Sequence, residues 1–145
     1  MSDQLFDAYF TAEAMKQVFC DHGRVQAMLD VEAALARAQA RVGVIPHSAL
    51  APITAACRAQ FYDFEALGLA IASAGNSAIP LVKALGKQIA SSAPEAERYV
   101  HLGATSQDVM DSGLVLQLRA ALNLIEGDMS QLADVLAAQA LRYAT

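Results

Sequence analysis

A chain of 145 residues, 55% of them hydrophobic and 17% charged, has one domain's length and is too apolar to be disordered. Its net charge of −5 argues against a nucleic acid or an anionic membrane as partner, since both demand a basic surface. No apolar run approaches the ~20 residues of a membrane span, and Met1-Ser2-Asp3-Gln4 lacks the basic start of a signal peptide.

The residue pattern is helical almost throughout. Alanine strings such as Glu32-Ala33-Ala34-Leu35-Ala36-Arg37-Ala38 and Leu136-Ala137-Ala138-Gln139-Ala140 favour helix and leave little room for strands. Thr11 is placed to cap a short helix carrying Met15, Val18 and Phe19. Asp21 is placed to cap a longer one with Val25, Met28, Leu29, Leu35 and Val42 as its apolar stripe. Gly43 supplies a left-handed stop, and Pro46 restarts the chain. Residues 48–57 read as a third helix and 63–73 as a fourth, capped by Asp63. The small, polar Gly75-Asn76-Ser77 turn leads into a helix over about 81–90, which Ser91-Ser92-Ala93-Pro94 ends. After a glycine-bearing loop, Val115, Leu118, Leu122, Ile125, Met129, Leu132 and Leu136 mark one long helix from Asp108 onward. Leu114, Leu116, Leu124 and Leu141 add apolar surface off that stripe, and such a helix is normally buried among several others. The short helices before it offer too little cover, so the sequence reads as a piece of something larger.

Chemistry concentrates in His101-Leu102-Gly103-Ala104-Thr105-Ser106-Gln107-Asp108. Thr105, Ser106 and Gln107 fall at the start of the long helix, where unpaired N–H groups and the positive dipole end attract anions. Short hydroxyl and amide side chains there suit a carboxylate or phosphate. His101 adds a hydrogen bond or a proton. The plainer alternative is an ordinary N-cap, and it stays open. Asn76 and Ser77 have the same character, with an ordinary turn as their plain reading. Asp108 and Asp111 suit the positive helix end first and acid–base work second. His22 and His47 have no partner at metal spacing. Cys20 and Cys57 lack metal-ligand or CxxC spacing and read as reduced thiols, which places the chain in the cytoplasm. Glu95, Glu97 and Arg98 form a solvated charge run.

His101 to Asp108, with Asp111, resembles the first signature of the fumarase/aspartase superfamily, H-x-G-x-T-S-x-D. Leu5-Phe6-Asp7-Ala8-Tyr9-Phe10, residues 74–86 and Glu97-Arg98-Tyr99-Val100-His101 narrow the resemblance to its muconate-type cycloisomerase branch. An adenylosuccinate lyase-like member fits less well, because no basic residue precedes Lys16 and no His-Asp pair stands at residues 75–77. The resemblance implies an all-α fold: a small N-terminal helical domain (1–104), then the first long helix of the central bundle (105–145). It also implies a homotetramer, a small tricarboxylate substrate, no cofactor and no metal. Asn76, Ser77, Thr105, Ser106, Gln107 and Asp108 are then expected to bind substrate, with His101 lining the site as the one catalytic candidate. The superfamily's second and third signatures do not occur in the sequence, so the expectation is an N-terminal portion, inactive alone. The other class the residues leave open is a non-catalytic, all-helical interaction module.

Overall fold

The computed structural model describes residues 7–144. Met1-Ser2-Asp3-Gln4, together with Leu5 and Phe6 of the N-terminal motif, lies outside the described residues. Helices are the only regular elements among the described residues. They are α1 (Asp7–Phe10), α2 (Glu13–Phe19), α3 (Asp21–Arg41), α4 (His47–Ala56), α5 (Phe64–Ala74), α6 (Ala78–Ala90), α7 (Pro94–Glu97) and α8 (Ser106–Arg142), with a single 3₁₀ turn at Ala59–Phe61.

The organising helix is α3. Val25, Met28, Leu29, Ala33, Ala36 and Ala40 bury one long face of it, at the three- and four-residue spacing of a helix stripe. Against that face lie α8, α4, α2 and the 3₁₀ turn. Leu29 is fully buried, as are Leu81 and Leu85 from α6, and burying each such side chain contributes roughly 1.5–3 kcal/mol. Polar ties reinforce the packing. Gln26 accepts from Ala59 N–H at 2.8 Å and donates to the Cys57 carbonyl at 3.2 Å, which pins the loop after α4 onto α3. Buried Gln117 on α8 donates to the Val18 carbonyl at 2.6 Å, catching the end of α2.

Several expected boundaries move, each for a local reason. Thr11 does not cap α2; its N-cap is Ala12, which makes no side-chain bond. The chain leaves α2 in an extended conformation at Cys20, so Cys20 and not Asp21 caps α3, its sulfur accepting from Gly23 N–H at 3.4 Å. Asp21 becomes the first residue of α3, where its charge suits the positive end. Val42 is the C-cap and is 69% exposed, so it drops out of the core stripe, while Gly43 takes the left-handed φ of 76°. Helix α6 begins at Ala78 rather than Leu81, because Pro80 falls in the first turn, where a missing N–H costs nothing.

The long helix is present over Ser106–Arg142, but its large apolar stripe is not the packed face. Val109, Gly113, Gln117 and Ala121 are its buried row, a mostly small-residue ridge that lets α8 cross α3 closely. Val115, Leu118, Leu122, Ile125, Met129, Leu132 and Leu136 are all exposed. No helix among the described residues is long and apolar enough to cross a membrane. Both cysteines are free thiols; Cys57 is buried, and desolvation pushes its thiol up to about 12.

Candidate functional site

The loop ahead of α8 is held at both ends. His101 takes a φ of 56° and Gly103 one of 73°, and the Ala104 N–H bonds back to the His101 carbonyl at 3.3 Å. A left-handed φ is uncommon outside glycine, though histidine tolerates it better than branched residues do. Thr105 then caps α8 through a full capping box. Its hydroxyl accepts from Asp108 N–H at 3.3 Å, while its own N–H and hydroxyl donate to the Asp108 carboxylate at 2.8 and 2.9 Å. Those two donors hold the Asp108 carboxyl below the usual range. Gln107 donates to Asp111 at 2.6 Å, and the Ser106 hydroxyl has no hydrogen bond among the described residues.

Of the two residues the sequence offers as this cap, Ser106 and Thr105, it is Thr105 that caps, and Ser106 opens the helix. The box occupies Thr105 and Asp108 with each other. It leaves Ser106 and Gln107 on the first turn, beside the positive helix end that draws anions.

In the second loop, Gly75 ends α5 with a φ of 62°, and the Asn76 side-chain oxygen accepts from Ala78 and Ile79 N–H at 2.9 and 3.0 Å. Asn76 is therefore the working cap of α6, with its amide NH2 still available. Ser77 lies against α3, its hydroxyl 3.9 Å from the Met28 sulfur. It shares a pocket of about 50 Å³ with Arg24, Met110, Gly113 and Gln117. The loop before α8 borders a different hollow, an open groove of about 740 Å³ between α3 and α8, bordered by Val31, Leu35, Gly103, Asp108 and Val115. Neither hollow is lined by both loops. A third cleft, of about 570 Å³ between α5 and α6, has Leu67 and Ile79 on its walls and Lys83 and Lys87 at its rim.

The residues that sequence reasoning missed are on α3. Glu32 is 2% exposed and lies 2.6 Å from His101 Nδ1. Burial pushes its carboxyl up, and the hydrogen bond from His101 pulls it partly back. Gln39, farther along the same helix, donates to the Leu102 carbonyl at 2.6 Å. A signal for Glu32 was available: it follows Val25 by seven and Leu29 by three, on the apolar stripe where a carboxylate does not belong without a partner. His22 stacks on Phe64 at 5.9 Å, and no group of three or more metal-ligating side chains occurs among the described residues.

Comparison with known proteins agrees with this architecture. The lyase family matches residues 7–145. A Pseudomonas putida 3-carboxy-cis,cis-muconate cycloisomerase is 70% identical over 144 residues, which is 99% of this chain and 34% of that protein. The crystal structure of the 3-carboxy-cis,cis-muconate lactonizing enzyme from Pseudomonas putida superposes with a TM-score of 0.93 at 70% identity, covering 98% of this chain and 32% of that one. The beta-carboxy-cis,cis-muconate cycloisomerase structure from Acinetobacter calcoaceticus sp. ADP1 superposes at 0.91 with 41% identity, over 97% of this chain and 33% of that one. The chain spans about a third of the length of these relatives. With a family match across nearly all of its residues and an H-x-G-x-T-S-x-D loop at the head of its longest helix, this chain belongs to the lyase family, in the fumarase/aspartase superfamily.

Proposed function

We propose that this chain serves a cycloisomerase that closes 3-carboxy-cis,cis-muconate to its carboxymuconolactone, a step in aromatic-acid breakdown through protocatechuate. In that reaction a substrate carboxylate oxygen bonds to one carbon of a double bond. The π pair moves to the neighbouring carbon, which takes up a proton from a general acid. The reverse is a β-elimination, with the proton leaving carbon as the C–O bond breaks. The reaction is an isomerisation, so no oxidant or second substrate enters.

In this reading Ser106, Gln107 and the N–H groups at the head of α8 receive one substrate carboxylate, with Thr105 held in place by Asp108. The Asn76 amide and the Ser77 hydroxyl, whose loop borders a different hollow in this chain, supply a second polar contact once the assembly completes the site, and His101 lines the site at α8. Preorganised donors of this kind stabilise charge as it shifts on the substrate. The site is completed in a cytoplasmic homotetramer, whose bundle covers the exposed stripe of α8. Residues 1–104 form the N-terminal domain and 105–145 open the bundle.

The observation that carries this reading is 70% identity, spread over almost the whole chain, to a muconate cycloisomerase. The test is a chimera in which these 145 residues replace the matching segment of the Pseudomonas putida relative. Lactone formation from 3-carboxy-cis,cis-muconate within about tenfold of the parent is expected, a loss of no more than ~1.4 kcal/mol in transition-state binding. A folded chimera of the parent's size that fails to turn over this substrate overturns the reading.

A further inference from the structure

Glu32 and Gln39 lie on the same side of α3, about two turns apart, and each takes hold of one of two consecutive residues in the loop before α8. Glu32 meets His101 Nδ1 at 2.6 Å, and Gln39 Nε2 donates to the Leu102 carbonyl at 2.6 Å. The Glu32–His101 contact spans 69 positions of sequence and joins a core helix to a residue with left-handed backbone. A carboxylate that is 2% exposed, flanked on its own helix by buried Leu29, Ala33 and Ala36, is costly unless its partner justifies it. His101 is the partner the structure provides, and it stands two residues before the Gly103 turn and four before the Thr105 capping box.

An ionised carboxylate only accepts hydrogen bonds, so the imidazole must present Nδ1–H to Glu32. In the neutral ring Nε2 is then the bare nitrogen, and it has no hydrogen bond within the described residues. A partner that fixes one ring nitrogen sets the tautomer and orientation of the other. We propose that Glu32 is a positioning residue for the anion-binding loop: it fixes His101 as the Nδ1–H tautomer and anchors the start of α8. It does not touch substrate itself. The kinetic part of this inference rests on the function proposed above; the structural part does not.

Two variants separate positioning from bulk. Glu32→Gln keeps the shape and an acceptor oxygen, whereas Glu32→Met fills the same space without one. In the 145-residue chain, ring nitrogen and proton NMR of His101 at mildly alkaline pH is expected to show Nδ1 protonated in the wild type and in E32Q. In E32M that pattern is lost, and the Thr105 and Ser106 amide signals move. In the chimera, E32M is expected to raise KM for 3-carboxy-cis,cis-muconate by about tenfold or more, as misplaced binding groups do, while kcat changes far less. E32Q is expected to stay within about threefold of wild type, a rescue that a purely structural role does not require.

A bare Nδ1 in the wild type overturns the proposal. So does a folded E32M with unchanged loop amides, or with KM within about twofold of wild type. If the wild-type chimera is inactive, the proposed function falls while the NMR result still decides the role of Glu32. If E32M does not fold, the tautomer in wild type and E32Q decides alone: Nδ1–H in both supports the assignment and a bare Nδ1 in either overturns it.

Discussion

Gly113 on α8 stands so close to Met28 on α3 that a Cβ built on the glycine lies 3.1 Å from Met28 Cγ and 3.3 Å from its main-chain nitrogen. Farther along the same helix, Gly127 has nothing within 4 Å of the equivalent point. One substitution therefore has opposite signs at the two sites. Gly127→Ala is expected to stabilise by about 0.5–1 kcal/mol through helix propensity alone. Gly113→Ala gains the same propensity but meets the main chain of α3, and overpacking of about 1–3 kcal/mol leaves it less stable than wild type. Urea unfolding followed by circular dichroism compares them; equal midpoints for the two variants refute the close crossing.

Removing the cap of α8 tests the loop directly. Thr105→Ala deletes the hydroxyl that serves Asp108 N–H and is expected to cost about 1 kcal/mol. Because the box holds the Asp108 carboxyl below its unfolded value, its contribution is complete above the ordinary aspartate range. It is lost as pH falls through the lower, folded value. Thr105→Ala keeps the main-chain N–H, the donor with the larger effect on that carboxyl. It is accordingly expected to make the acid limb of a stability-against-pH curve shallower without abolishing it. An unchanged acid limb counts against the hydroxyl's part in the box.

Glu32 has the opposite sign. Its folded carboxyl is raised above 4.5, so between that value and the raised one the folded chain binds more protons than the unfolded chain. Stability is then highest at the acid end of this window and declines as pH rises through it. Glu32→Gln cannot ionise and is expected to lack that decline. Wild type and variant with parallel curves through the mildly acidic range contradict the raised value.

Much of this was legible in the sequence, and the parts that were not share a physical cause. Gly43, Asp63 and the polar cluster from Thr105 to Asp108 announce their helix ends because capping is local: partner atoms lie within four residues, although α8 starts at Ser106 rather than at the expected Asp108. The Glu32–His101 contact is not local. Periodicity places Glu32 on the stripe and the signature marks His101, but neither says that α3 passes beneath the loop. The stripe of α8 misleads for a related reason. Hydrophobic spacing identifies a face suited to burial, but the face of α8 that packs against α3 is the row of Val109, Gly113, Gln117 and Ala121, and the apolar stripe stays exposed. Cys20 escapes notice as a cap because sulfur is a weak acceptor and rarely fills that role.

The exposed row on α8 has a consequence in solution. Leu122, Ile125, Met129, Leu132 and Leu136 form a contiguous apolar strip, each at least 45% exposed. Strips of this kind drive association. Sedimentation is expected to show concentration-dependent self-association of the 145-residue chain. The double variant Leu122→Lys with Leu136→Lys shifts it toward monomer without loss of helix. A wild-type monomer at high concentration contradicts this.

At 1.5 Å per residue the 37 residues of α8 make a rod of about 55 Å. Its last buried residue is Ala121, so the contacts within the described residues hold the rod near its first turns. The close crossing where Gly113 meets Met28 sets its direction. From that point to Arg142 is about 43 Å, so a tilt of only ~5° at the crossing swings the far end by roughly 4 Å. The packing around Met28, the neighbour of the Ser77 hydroxyl, therefore decides where the opposite end of the helix lies.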